Sequence, residues 1–218
     1  MRSALARDLG LPATARRAGF TAVLAALMLA AGPAAAHHVG AWSPRDNEIS
    51  ANFKQVKFSI QAGRFEVARR LYETGALRRE LQARAARLPA GLDTRITQAL
   101  ARGDGRAAED GLMVFFAALI RDLALEADRR LGETVESAEA RAAAARRFLE
   151  AIWRYYNLVD FAVTQRDARA ATAVRLAFDE AETLAKGPAP ERLREPLGRI
   201  ARALAGVIET SAPTRRES

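Results

Sequence analysis

The chain contains two histidines, His37 and His38, side by side. A free α-amine next to an imidazole chelates Cu(II) or Ni(II), so this pair is a candidate metal site wherever it stands at a chain terminus. If the chain began at His37, that residue would close a ring through its own amine and ring nitrogen. If it began at Ala36, a histidine would stand at position three. The metal would then be held by the amine, two backbone nitrogens and the imidazole. A polar leader that aids processing is the alternative reading. The second group with chemical potential is charged. At about 100° per residue along a helix, Leu112, Phe116, Leu119 and Leu123 define an inward arc. Glu126 and Arg130 fall inside it, with Asp122 at its edge. Further on, Asp160 shares an arc with Tyr156 and Val159, and Arg175 and Glu182 fall beside Val174 and Phe178.

Charge turned inward is costly unless it is paired. One reading of Glu126, Arg130, Tyr156, Asp160, Arg175 and Glu182 is therefore an interhelical ion-pair network. Glu126 and Arg130 stand at i,i+4 in the favourable order. The other reading is a ligand-binding polar pocket. Carboxylates with a tyrosine are hard oxygen ligands that suit Fe(III), Mn(II) or Ca(II). The arginines favour an anion, or a metal held together with one. A di-iron bundle would need Glu-x-x-His on two helices, and the body of the chain has no histidine. Trp153, Tyr155 and Tyr156 cluster at a spacing that reads as core. No serine–histidine or threonine-based nucleophile and no phosphate-cradling glycine loop is present. No catalytic residue is assigned and the protein is expected not to be an enzyme.

The terminus that His37 needs is supplied by what precedes it. Arg2, Arg7, Arg16 and Arg17 form a basic head. An apolar run from Phe20 to Ala31 follows, then Gly32, Pro33 and Ala34-Ala35-Ala36. This is the pattern of a secretory signal peptide. The run is shorter than the roughly 20 residues that span a bilayer. Cleavage after Ala36 puts alanine at both −3 and −1, so the mature chain is expected to begin at His37. Arg16-Arg17 before Ala18-Gly19-Phe20 loosely resembles a twin-arginine export signal. The general and twin-arginine routes both stay open.

Composition narrows the chemistry further. The chain has 218 residues and no cysteine. Disulfides, thiolate catalysis, c-type haem attachment, cysteine-held iron–sulfur clusters and a lipoprotein anchor are excluded. The 34 basic and 26 acidic residues give a net charge of +8. Loss of residues 1–36 would remove four arginines and Asp8. The cations are nearly all arginine, interspersed with acids, which reads as solvated helix surface. No motif or aromatic–basic cluster supports nucleic-acid binding.

The body that must position these residues reads as helix throughout, rich in Ala, Arg, Leu and Glu. Ser43 or Asp46 is expected to cap a first helix carrying Ile49, Phe53, Val56 and Ile60 on one face. A second helix runs from about Arg64 to Leu88, with Gly75 as a kink or break. Shorter and longer helices follow from Asp93 to Ala101, Arg106 to Leu131, Glu136 to Gln165, Asp167 to the Lys186-Gly187-Pro188 stop, and Glu191 to Glu209. The run Gly111 to Ile120 is apolar on every side, which predicts a central, buried helix. Three turns echo one another: Gly63 to Ala68, Gly103 to Ala108 and Arg166 to Ala171 each set a small alanine one turn into the next helix. This looks like the αα-hairpin of tetratricopeptide arrays, although the spacing is uneven and the fuller consensus is missing.

The expectation is an all-α fold: a single bundle of five to seven antiparallel helices built from αα-hairpins, preceded by a cleaved signal peptide. Residues 1–36 are the signal, 37–45 an irregular arm, 46–210 the bundle and 211–218 a disordered tail. Such a chain would be a periplasmic binding or accessory protein that holds a small ligand or a protein partner, with no transmembrane segment in its mature form. A metal-binding protein using His37 and His38 or the inward carboxylates is one alternative. A tetratricopeptide-like scaffold is the other.

Overall fold

The computed structural model describes residues 45–133 and 137–211. Ten of these residues set the architecture. Gly111 to Ile120 are all buried, as a helical stretch with no polar face must be. They lie in the long helix α5 (Gly105–Gly132), which is covered by α4 (Leu92–Ala101), α6 (Ala138–Arg166) and α8 (Arg194–Ser211). α7 (Ala168–Leu184) fills in against α6 and α8. At the other side α1 (Glu48–Gln61) packs on α2 (Phe65–Thr74) and α3 (Ala76–Ala83). Two short 3-10 turns, Ala85–Arg87 and Pro190–Leu193, complete the described residues, which contain no strand.

The core is aromatic where α1, α5 and α6 meet. Phe53 stands edge-on to Phe116 at 4.8 Å, and Phe116 in turn contacts Tyr155 at 5.6 Å. Trp153 stacks on Phe178 of α7 at 4.3 Å. The Trp153, Tyr155 and Tyr156 cluster is thus buried core. Tyr155 keeps its hydroxyl satisfied by accepting from Asn47 Nδ2 at 2.8 Å, as a buried phenol requires.

The described helices number eight, above the expected five to seven, and the reason lies at Gly75. There the second helix is cut in two by one residue in extended conformation (φ −86°, ψ 170°). Asn52 of α1 occupies the break. Its Nδ2 donates to Leu71 O at 3.1 Å, and its Oδ1 accepts from Leu77 N at 3.0 Å. One buried side chain therefore satisfies a carbonyl from the end of α2 and an amide from the start of α3. A Cβ at position 75 would fall 2.0 Å from Asn52 Oδ1. Space demands the glycine, since its φ is one any residue adopts.

A second polar clamp joins α2, α3 and α4. Asp93 Oδ1 accepts from the Tyr72 hydroxyl at 2.8 Å and from Arg78 Nε at 3.0 Å. Oδ2 accepts from Arg78 Nη2 at 3.1 Å. Burial works to raise the Asp93 pKa, but the hydrogen bonds from Arg78, Tyr72 and Gln82 outweigh it and hold it below the ordinary carboxylate value. Burial and the neighbouring Asp93 raise the Tyr72 pKa, so its proton stays in place to donate.

Helix ends correct some local expectations. Asn47 caps α1, in a reciprocal pair with Ser50, rather than Asp46. Asp46 instead binds Lys54 Nζ at 2.7 Å, and Ser43 lies outside the described residues. Of the three echoing turns, two share a form. Gly63 and Gly103 both have φ +70°, and Arg64 N→Ser59 O (2.8 Å) and Asp104 N→Ala99 O (2.9 Å) close both helix ends in the six-residue manner. The third is different: Asp167 is extended (φ −151°) and caps α7 by accepting from Arg169 N and Ala170 N. Ala68, Ala108 and Ala171 are all fully buried.

Two outcomes follow for stability, read by urea unfolding. Gly75→Ala overpacks the Asn52 contact and lowers stability by about 1–3 kcal/mol without altering helical content elsewhere. Asp93→Asn lowers stability at pH 7 by about 2 kcal/mol, the scale of hydrogen bonds to a charged group. Because the folded pKa is depressed, the wild-type advantage exists above the unfolded value and is lost as pH falls below about 4. The two unfolding curves should converge there.

Candidate functional site

The charged residues singled out by helix geometry are only partly brought together. Tyr156 is fully buried, and its hydroxyl donates to Ala171 O at 3.2 Å. Burial first, and the charge of Asp160 second, raise its pKa. One turn on, Asp160 Oδ2 accepts from Arg175 Nη1 of α7 at 3.1 Å. The other oxygen, Oδ1, is buried without a hydrogen-bond partner among the described residues. Tyr156, Asp160 and Arg175 thus form one α6–α7 contact.

Glu182 stands two turns further along α7. It is buried, with Lys186 Nζ 3.7 Å away. Neighbouring Asp179 is exposed, and its pKa is raised by partial desolvation first and by the Glu182 charge second.

Glu126 and Arg130 do not join this group, and their expected inward orientation is corrected. Their side chains are 43% and 46% exposed, and they pair on the outside of α5 with each other and, for Glu126, with Arg129. The physical reason is the all-round apolar stretch preceding them, which leaves the inward direction undetermined. Ile120, Ala124, Ala127 and Leu131 set the buried stripe of the second half of α5. That stripe is centred roughly 80° from the Leu112–Leu123 arc. Small alanines mark where the neighbouring helices come close; the larger leucines had defined the other face.

His37 and His38 lie outside the described residues. Among the described residues, no three acids or histidines gather closely enough to hold a metal ion.

A site that helix periodicity did not reveal lies where α4, the first half of α5, and the ends of α6 and α8 meet. It is a cleft of about 250 Å³. Leu92, Gly111, Met113 and Val114 line it and are buried, so they form an apolar floor. Gln98, Arg102, Asp110 and Arg166 line it and are exposed, with Arg95 half-buried, so they form a polar rim. On α4, Arg95, Gln98 and Arg102 are spaced i, i+3, i+7 and share a face. On α5, Ala107, Asp110, Gly111 and Val114 do the same. Gly111 allows the two helices to approach, since a Cβ there would sit 2.6 Å from Ile96 Cγ1.

Among the described residues the three rim arginines have no acidic partner, a condition they share with other exposed arginines such as Arg106 and Arg169. Arg95 Nη1 donates to Ala90 O at 2.6 Å, and Arg166 donates to Thr210 O. Arg102 makes no side-chain hydrogen bond among the described residues, and Asp110 pairs with none of the three. Two other surface concavities contain ion pairs of their own, beside an Arg87 that pairs with no acid among the described residues. One holds Arg84 with Glu80; another holds Arg121–Asp122 at 2.8 Å and Arg129–Glu126 at 2.7 Å. The α4 spacing was visible in the sequence, but an i, i+7 pair of arginines is ordinary on a solvated helix. What makes a site of it is Arg166, brought from the end of α6.

Compared with protein-family models, with curated proteins and with solved structures, the chain matches none.

The raised Asp179 pKa gives a signed expectation. Its ionised form is disfavoured by folding, so Asp179→Asn should be more stable than wild type at pH 7. The gain should begin to shrink as pH falls through the raised pKa and vanish below the ordinary carboxylate value, where folded and unfolded wild type are both protonated at that position. Thermal unfolding between pH 3 and 8 measures it; a variant less stable than wild type at pH 7 would contradict the assignment.

Proposed function

We propose that this protein is an exported, periplasmic binding or accessory protein, non-catalytic, which holds a ligand or protein partner on a bundle of antiparallel αα-hairpins. The observation that supports this most directly is the cleft between α4, α5, α6 and α8. It joins a buried apolar floor to guanidiniums without acidic partners, the combination a binding groove needs for both area and orientation. Export is supported by the basic head, the short apolar run and Ala34-Ala35-Ala36. None of the described helices is long and apolar enough to cross a membrane. The non-catalytic part of this reading is an expectation from sequence motifs, which include no serine–histidine or threonine-based nucleophile arrangement.

The test uses the chain with its full N-terminus, expressed in a Gram-negative host and recovered untagged and chelator-free from the periplasm. Intact mass should place the new N-terminus at His37. Native mass spectrometry and co-purification should then find an organic ligand or a protein partner. Retention in the cytoplasm with residues 1–36 attached would overturn export. Stoichiometric Cu, Ni, Fe, Mn or Ca by elemental analysis, lost on His37→Ala/His38→Ala or on Asp160→Ala, would replace this reading with a metal-binding one.

A further inference from the structure

The reading above leaves the ligand open, and the cleft's own chemistry narrows it. We propose that the cleft takes a small organic monoanion: one carboxylate joined to a short apolar body. This inference rests on the binding role proposed above and assigns its ligand class.

Arg95, Arg102 and Arg166 present planar forks that match a carboxylate two bonds at a time. Their positive charge is partly offset. Asp110 stands on the same rim. The cleft also collects the C-terminal ends of α4 and α6, marked by Arg102 and Arg166. Each helix end carries about half a negative charge. What is left favours one negative charge. A second or third, as on a phosphate, would face Asp110 and two helix C-termini.

The apolar argument is independent of charge. Leu92, Met113 and Val114, only 2–4% exposed, close the bottom of the cleft, and its accessible apolar surface comes from half-buried Ala107 and the aliphatic stems of the arginines. They offer nothing to a fully hydrated inorganic ion but gain free energy by covering an apolar body, at roughly 25 cal/mol per Å². A volume of about 250 Å³ limits that body to a ring or a short chain.

The experiment is isothermal titration of the exported protein, freed of any bound ligand, with phenylacetate. Acetate, inorganic phosphate, benzyl alcohol and phenethylamine serve as comparisons. Phenylacetate should bind at least about tenfold tighter than each of them, one factor of ten being the scale of one charge-assisted hydrogen bond. Arg102→Gln and Arg166→Gln should each weaken it about tenfold, with the thermal midpoint unchanged in Arg102→Gln, which removes no hydrogen bond among the described residues. Asp110→Asn should selectively improve phosphate binding.

Equal affinity for phosphate or acetate would overturn the apolar half of the proposal. Equal affinity for benzyl alcohol or phenethylamine, or indifference to both arginine substitutions, would overturn the carboxylate half. If the periplasmic protein arrives with a partner or ligand that phenylacetate neither resembles nor displaces, the ligand class falls and the binding role stands. If it arrives empty and binds none of the probes, both fall.

Discussion

Ten consecutive residues of α5 with no polar face must be covered on every side, and the rest of the bundle follows from that demand. Burying side chains such as Phe115, Phe116 and Ile120 contributes about 1.5–3 kcal/mol each, so a helix left off any side of α5 would forfeit a large share of the stability of a small domain. α4, α6 and α8 supply the cover. Their approach is set by small residues: Gly111 under Ile96, and the alanines of α5 at 117, 118, 124 and 127, all fully buried. The chain has no disulfide to share this work.

Around that core, a few buried polar side chains decide details that apolar burial cannot. Hydrophobic contact is non-directional; a buried amide or carboxylate is not, because leaving it unpaired costs about 1–3 kcal/mol. Asn52 fixes where the second helix breaks by bonding both sides of the gap. Asp93 fixes how α2, α3 and α4 meet by accepting from Tyr72 and Arg78 together. Asn47 joins the start of α1 to Tyr155 of α6.

The surface follows a different rule. Acids and arginines at i,i+3 and i,i+4 pair along single helices, as at Glu66–Arg69 and Glu150–Arg154. Exposed pairs of this kind add little stability, but they neutralise local charge. The cleft combines arginines that escape this pairing: Arg95 lies in α4, Arg102 just past its end and Arg166 at the end of α6, and none has an acid within its own helix placed to pair with it. Positive charge only partly offset, beside apolar lining, supplies both the orientation and the area that a binding surface uses.

The sequence by itself determined the all-helical class, the approximate ends of most helices and the burial of Gly111–Ile120. These depend on propensity, caps and one-dimensional periodicity, which are local properties. It also held the Gly75 break, though not its cause: the reason for the glycine is Asn52, on another helix. Tertiary structure alone decided which face of α5 points inward. A helix apolar all round gives no rotational signal, so Glu126 and Arg130 read as inward while the alanine stripe that settles the matter carries little hydrophobic weight. It also decided that Tyr156, Asp160 and Arg175 meet while Glu182 stands apart, and that Arg166 arrives beside Arg95 and Arg102. Those are distances between helices far apart in the chain. They are set by how side chains interlock across α4, α5, α6 and α8, and that information is written in no single stretch of residues.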